Sequence, residues 1–191
     1  DDTADIKKAG KDIIDGCTFD NNLPCIAEKE VFAFDSIADE LISVMQKNGA
    51  YLINAEQAEK LASVVLEEKT NKSGKKIKTV SRHCVGRDAK VLLAKIGINV
   101  GDELRCIICE TDFMHDFVQH ELMMPILPIV RVGNIAEAID LACKAEHGNR
   151  HTAHMHSKNI DNLSAFARAV ETTIFVKNAP SYAGIGLGGE G

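Results

Sequence analysis

The feature of this sequence that most constrains its fold is the alternation of amphipathic helical segments with short, almost uniformly apolar ones. The helical segments repeat apolar residues every three or four positions, as Leu41 and Met45 do within residues 36–48. The apolar segments, such as Ile126–Val132, lack the two-residue alternation of a half-exposed strand, as expected for strands covered on both faces. The sequence therefore predicts an α/β fold with an open, mostly parallel sheet and helices on both faces.

The predicted elements run along the whole chain. Helices are predicted at residues 3–15, 36–48, 54–68, near 88–96, from 134 onward and at 160–170. Strands are predicted at Val31–Phe34, Ile77–Val80, Leu104–Cys109, Ile126–Val132, Thr152–His156 and Thr172–Val176. Since no repeat period or low-complexity linker interrupts this pattern, we expect one domain over residues 1–191.

Composition narrows the class of protein. Of the 191 residues, 45% are hydrophobic and 26% are charged, the balance of a soluble globular protein. A net charge of −6 without a dense basic run argues against a nucleic-acid partner, and no apolar stretch is long enough for a membrane span. Six scattered cysteines without an export signal predict free thiols and a cytoplasmic location.

Cys25 is the first candidate for chemistry. Pro24 fixes the backbone before it and biases Leu23 away from helix, so the cysteine is expected in a turn between a helix and a strand. Asn21 and Asn22 are expected to place hydrogen-bond donors beside the thiol. From spacing and composition alone, the commoner role of a free cysteine, a small buried residue, is favoured.

Four longer blocks carry a family resemblance. They are GCTFDNNLPCIAEKEVFAFDSIADEL, HELMMPILPIVRV, EHGNRHTAHMHSKNIDNL and TTIFVKNAPSYAGIGLGGEG. Together they resemble, in family order and over most of the chain, the coenzyme-A-acylating propionaldehyde and acetaldehyde dehydrogenases of the aldehyde dehydrogenase superfamily. The resemblance implies that residues 1–191 are a catalytic-domain fragment, and that the N-terminal NAD-binding domain is absent from this chain.

The resemblance also implies a mechanism and two cofactors, NAD and coenzyme A. In this family a cysteine thiolate, here Cys25, adds to a short-chain aldehyde such as propanal or ethanal. Hydride then passes to NAD, and the thioester is attacked by the thiol of coenzyme A. One oxyanion donor would be the backbone N–H of Cys25, and the other an asparagine outside this chain.

Three further site residues follow from matching positions in the family. Glu121 is expected to bind the nicotinamide ribose hydroxyls, with a surface glutamate as the alternative. His151 is expected near the cofactor or as an acid–base group, since histidine in general is the side chain that can exchange a proton near neutral pH, with a structural histidine as the alternative. Asn178 is expected to line the substrate or cofactor cleft.

One glycine pattern and one cysteine pattern match known motifs but are not expected to have the function of those motifs. Gly184, Gly186 and Gly189 satisfy G-x-G-x-x-G, but no room for the required helix follows them, so a loop is expected. Cys106 and Cys109 have the spacing C-x-x-C but lie on a predicted strand, where positions three apart face opposite sides. Zinc binding or disulfide exchange is therefore not expected there.

Two patterns of titratable residues are not expected to form functional sites. His154 and His156 share a predicted strand face and could form half a metal site, but no second pair accompanies them, so no metal is expected. The run Glu28, Lys29 and Glu30 is interpreted as the solvated entry to a strand.

Two alternatives to the acylating enzyme remain open. One is a hydrolytic aldehyde dehydrogenase that releases the free acid, and the other is a non-catalytic binding or scaffold fragment with an inert cysteine. For the isolated chain we expect folding without aldehyde oxidation. For the intact enzyme the resemblance implies a homo-oligomer, and packaging inside a bacterial microcompartment is consistent with the family.

Overall fold

The computed structural model describes residues 1–187. Its helices are α1 Ile6–Thr18, α2 Asp35–Lys47, α3 Ala55–Val65, α4 Ala89–Ala94, α5 Asp116–Gln119, α6 Ile135–Ala145 and α7 Ile160–Val170. Its strands are β1 Val31–Phe34, β2 Ala50–Ile53, β3 Leu66–Thr70, β4 Lys76–Val80, β5 Cys106–Glu110, β6 Ile126–Val132, β7 Thr152–Met155 and β8 Ile174–Lys177. Short 3-10 segments cover Phe19–Asn22 and Ser181–Ile185.

Four strands form the main sheet, in the order β1-β6-β5-β2. Every neighbouring pair is parallel, with Val31 opposite Ile129 and Ile108 opposite Leu127. A purely parallel sheet of this kind needs cover on both faces. The predicted mostly parallel α/β architecture is confirmed.

The side chains of β5 alternate between two cores, one on each face of the main sheet. Cys106 and Ile108 pack with the buried residues of α1 and α2. Ile107 and Cys109 pack with those of α3 and α4. The predicted opposite orientation of the two cysteines is therefore confirmed, and the run CIIC is apolar because helices cover both sides of it.

A second parallel pair, β7–β8, carries its own smaller core with α6 and α7. The rings of Phe166 and Phe175 meet edge to face at 5.6 Å between centroids within it. The backbone of Asp1 is tied to the end of this pair, because its amino group donates a hydrogen bond to the carbonyl of His156 at 3.1 Å. This contact draws the first residues of the chain toward β7.

Three elements depart from the sequence prediction, and one of them is the short helix α5, which was not predicted. The helix expected over 54–68 ends at Val65, and β3 follows it in an antiparallel hairpin with β4 rather than in the main sheet. The hairpin turn is held by Asn71, whose side-chain oxygen accepts from the N–H groups of Ser73 and Lys75 at 3.0 and 2.9 Å. The edge strand β2 was not predicted. No helix within residues 1–187 combines the length and apolar character that crossing a membrane requires.

Candidate active site

The backbone reverses sharply between α1 and Cys25. Residues 20, 21 and 22 have φ of 47°, 52° and 65°, the left-handed region that Asp and Asn tolerate better than most residues. A turn follows, closed by a hydrogen bond from the N–H of Ala27 to the carbonyl of Pro24 at 3.0 Å. Cys25 lies inside this turn and is exposed, as the helix–turn–strand prediction requires.

The two asparagines of this segment hold the loop rather than face the thiol. The side-chain amide of Asn22 donates to the carbonyls of Cys17 and Glu28, at 3.0 Å each. The amide of Asn21 donates to the carbonyl of Gly86 at 3.1 Å. The prediction that both amides lie beside Cys25 as donors is therefore wrong, because they are occupied by backbone carbonyls and, for Asn21, also by the carboxylate of Asp88 at 2.8 Å.

Gly86 connects the cysteine loop to the segment that carries Glu121. Its carbonyl accepts from Asn21, and its N–H donates to the carbonyl of Met123 at 2.9 Å. Met123 has φ 54°, so the chain bends two residues beyond Glu121. Glu121 itself is exposed. The backbone of one residue thus fixes the two segments relative to each other.

His151 lies in the turn between α6 and β7. Its backbone N–H donates to a carboxylate oxygen of Glu146 at 3.0 Å. Its ring Nδ1 lies 2.6 Å from the hydroxyl of Thr152, and the side chain is exposed. The hydroxyl contact orients the ring and leaves Nε2 at its outer end.

One cavity of about 600 Å³ brings together three of the four predicted site residues, Cys25, Glu121 and His151. Asn178 is not among its lining residues. The amide of Asn178 instead accepts from the N–H of Ser157 and donates to its carbonyl, at 2.8 Å each. In this structure Asn178 joins the ends of β7 and β8.

The charged run after Cys25 is largely removed from solvent, with Glu28 buried and Lys29 and Glu30 half-buried, so its interpretation as a solvated strand entry is wrong. Glu28 is only 5% exposed, and desolvation raises its pKa to about 8. Desolvation also raises the pKa of Glu30, which lies 2.9 Å from the amine of Lys29. Lys29 donates to the carbonyl of Val118 in α5 at 2.6 Å. These side chains fix the start of β1 against neighbouring elements.

His154 of β7 and His156, which follows β7, are uncharged at pH 7. Burial lowers the pKa of both His154 and His156 to about 4. Nε2 of His154 is buried and has no hydrogen-bond partner within residues 1–187. In the same residues, no three His, Cys, Asp or Glu side chains are grouped to hold a metal ion. Gly189, the last member of the glycine pattern, lies outside the described residues.

The other thiols differ from Cys25 in their surroundings. Contact with Cys106, whose sulfur is 3.8 Å away, together with burial raises the pKa of the Cys17 thiol. Burial raises the pKa of Cys109 to about 12. Among the cysteines of the described chain, Cys25 is the exposed one. A thiolate forms most readily where water or fixed donors can solvate it, which favours Cys25 as the reactive thiol.

The model of the aldehyde dehydrogenase family matches residues 1–189. This chain belongs to the aldehyde dehydrogenase family. Acetaldehyde dehydrogenase (acetylating) EutE of Salmonella typhimurium is 50% identical over 191 residues, which are 100% of this chain and 40% of that protein. The chain thus spans about 40% of the length of these curated relatives.

Solved structures of aldehyde dehydrogenases superpose closely on this chain. A propionaldehyde dehydrogenase from the Clostridium phytofermentans fucose utilisation bacterial microcompartment is 55% identical, with a TM-score of 0.90 over 99% of this chain and 42% of that one. The propionaldehyde dehydrogenase of Rhodopseudomonas palustris, with bound CoA and an acylated cysteine, is 50% identical, with a TM-score of 0.90 over the same shares.

Proposed function

We propose that the protein carrying this chain oxidises a short-chain aldehyde, propanal or ethanal, to its acyl-CoA with NAD and coenzyme A, and that Cys25 is the nucleophile. The observation that carries the proposal is the exposed thiol of Cys25 at a turn that lines one cavity with Glu121 and His151. The acylated cysteine and bound CoA of the Rhodopseudomonas palustris structure support it.

The chemistry divides into two transfers at one sulfur atom. The Cys25 thiolate forms a C–S bond to the aldehyde carbon, and negative charge develops on the carbonyl oxygen. No backbone carbonyl within residues 1–187 accepts a hydrogen bond from the N–H of Cys25, so this N–H is available to that oxygen. NAD, when bound, supplies the hydride acceptor. The thiol of coenzyme A then displaces Cys25 from the thioester and restores the free cysteine.

Two cavity residues have roles in this scheme. The exposed carboxylate of Glu121 suits two ribose hydroxyl donors, so it would hold NAD beside the thiol. His151, oriented through Thr152, would accept the proton that coenzyme A loses as its sulfur attacks. Asn178 would act on the cleft through the loop it fastens, at Ser157.

The proposal extends to the surroundings of this chain. We assign residues 1–191 to the cysteine-containing catalytic domain, with the NAD-binding domain in the length of the relatives that this chain does not span. The intact enzyme would be a homo-oligomer. The microcompartment origin of the Clostridium phytofermentans structure supports packaging in such a compartment as well.

Replacing the nucleophile tests the function directly. In the full-length protein, Cys25→Ala should lower NADH formation from propanal, NAD and coenzyme A by a factor on the order of 10³ or more. The matched control is Cys143→Ala, which removes a half-buried thiol of α6 and should change the rate less than about twofold. Retained activity in Cys25→Ala would exclude the assigned nucleophile.

Omitting coenzyme A separates the two enzyme classes. The acylating reaction needs its thiol to release the product, so turnover should stop after one NADH per Cys25. Sustained turnover without coenzyme A, with free acid as the product, would assign the hydrolytic reaction instead. Absence of any burst, with Cys25 alkylated no faster than a free thiol, would favour the non-catalytic alternative.

A further inference from the structure

The buried carboxyl group of Glu28 joins three parts of the chain next to the nucleophile. One oxygen, Oε1, accepts from the backbone N–H of Ser181 at 3.1 Å. A Cβ atom placed on Gly16 of α1 would lie 2.3 Å from each carboxyl oxygen and 2.6 Å from the hydroxyl of Ser181. The carboxyl and the hydroxyl therefore meet in the space that the missing side chain of Gly16 leaves open.

The backbone of Glu28 is fixed as firmly as its side chain. Its carbonyl accepts from the amide of Asn22, which also bonds the carbonyl of Cys17 at the end of α1. Residues 22 and 28 bracket the turn that presents Cys25. We call residues 22–28 the nucleophile loop. The end of this loop at Glu28 is thus attached to α1 through the Asn22 side chain. The Glu28 side chain attaches the same end to Ser181.

Two polar atoms at this junction have no hydrogen-bond partner within residues 1–187, Oε2 of Glu28 and the hydroxyl of Ser181. Buried polar atoms are rarely left unpaired, because each costs about 1–3 kcal/mol. With a pKa of about 8 the carboxyl is a neutral acid at pH 7, which makes one of its oxygens a donor. A small rotation would pair that donor with the Ser181 hydroxyl.

Ionisation would disrupt this junction. The titratable groups that face Glu28 come from α1, namely Asp12, which is paired with Lys8, and Cys17. The Asp12 carboxylate would repel a negative charge on Glu28, whereas the Cys17 thiol is uncharged because its own pKa is raised. The segment Ser181–Ile185 contributes a hydroxyl and one backbone N–H. Desolvation raises the pKa of the carboxyl group and outweighs these donors and the backbone N–H of Glu28, which lower it, so the buried carboxylate is disfavoured.

We propose that Glu28 is a positioning residue whose carboxyl group fixes the nucleophile loop to α1 and to Ser181, and thereby holds Cys25 in its reactive orientation. This inference rests on the proposed function, since it concerns the same cysteine. It adds a determinant of reactivity outside direct contact with the aldehyde. It also makes that reactivity decline in alkaline solution, where the junction opens.

The test measures the rate constant for alkylation of Cys25 by iodoacetamide, followed by peptide mass spectrometry on the full-length protein. Glu28→Ala should lower the rate constant at pH 7 by at least about tenfold, because the loop loses its anchor. Glu28→Gln keeps one acceptor and one donor and should restore it to within about twofold. Ser181→Ala should reduce it about threefold, since only the hydroxyl is lost.

The pH dependence of the alkylation rate constant provides a second test, because a purely structural role of Glu28 would not change it. The ratio of the wild-type to the Glu28→Gln rate constant should be constant below about pH 7 and fall at least about threefold by about pH 10. The matched control is Glu30→Gln, a half-buried glutamate of the same strand entry without a contact to Ser181, and its ratio should stay constant. A constant ratio for Glu28→Gln, or an equal decline in the control, would overturn the proposal.

The two proposals fail separately. If Cys25→Ala abolishes turnover while every Glu28 and Ser181 variant is alkylated at the wild-type rate, the positioning role is overturned and the nucleophile stands. If Cys25→Ala retains turnover, the proposed function fails whatever the alkylation rates are.

Discussion

A carboxylic acid buried beside a reactive thiol costs free energy of folding at neutral pH. Glu28 ionises near pH 4.5 when unfolded and near pH 8 when folded, so the folded state binds the extra proton between these values. Its contribution to stability is complete below about pH 4.5 and is lost as the pH rises through about 8. A residue that weakens the fold under working conditions is a candidate for a functional role.

Glu28→Gln is expected to change how the free energy of unfolding depends on pH. Between about pH 5 and pH 8, the free energy of unfolding of the wild type should fall relative to the variant, by no more than about 5 kcal/mol. Urea unfolding at a series of pH values measures the difference. Glu40→Gln, an exposed glutamate of α2, is the control and should run parallel to the wild type. Parallel curves for Glu28→Gln would show that the folded-state pKa is not raised.

Individual site residues were predictable only where the sequence blocks identified them. Cys25, Glu121 and His151 come from three distant blocks, and the structure gathers them around one cavity. Glu28 was missed because the run of charges reads as a solvated segment, while burial depends on Gly16, which follows from no local pattern. The Asn22 contacts were missed for the same reason, since its partners become neighbours only on folding.

At the scale of elements, periodicity succeeded where one face of a helix is buried by the sheet. The prediction of helix 36–48 agrees with α2 within a residue at each end, and strand Ile126–Val132 agrees with β6. Residues 66–68 were predicted as the end of the helix that begins at residue 54. Pairing with β4 decides their conformation instead, and such pairing cannot be read from local propensity.

The start of α3 gives a direct test of local structure. The Asn54 side chain accepts from the N–H of Gln57 at 2.9 Å, and the Gln57 side chain accepts from the N–H of Asn54 at 3.0 Å. Asn54→Ala removes one half of this capping box and should lower the free energy of unfolding by about 1 kcal/mol. Ser63→Ala, an exposed change in the same helix, should alter it by less than about 0.5 kcal/mol in denaturant titrations. Equal effects would contradict the capping role.

The contact between α1 and α2 provides a second test at the scale of elements. A Cβ atom on Gly10 would lie 2.6 Å from a methyl carbon of Val44, so the helices approach too closely for any side chain there. Gly10→Ala should therefore destabilise the protein by about 1–3 kcal/mol, against the roughly 1 kcal/mol that helix propensity alone would gain. The exposed change Lys7→Ala in the same helix serves as the control. A higher melting temperature for Gly10→Ala would show that the helices can separate without loss.

Across the whole molecule, burial predicts an order of local stability. Strands β5 and β6 lie between two cores, and their side chains are almost entirely buried. The hairpin β3–β4 is largely exposed, and β7–β8 has a smaller core of its own. Hydrogen exchange by mass spectrometry should therefore be slowest in β5 and β6, intermediate in β7–β8 and fastest in the hairpin. Slower exchange in the hairpin than in β6 would contradict this order.

The contacts that fix the nucleophile loop and the neighbouring Asn21 have a consequence during protein synthesis. Asn21 is tied to a carbonyl 65 positions further along the chain, and Glu28 to an N–H 153 positions further. While the polypeptide is still leaving the ribosome, none of these partners exists for a cysteine that has already emerged. If Cys25 is the proposed nucleophile, its thiol therefore behaves as an ordinary one until residue 181 has been synthesised and docked.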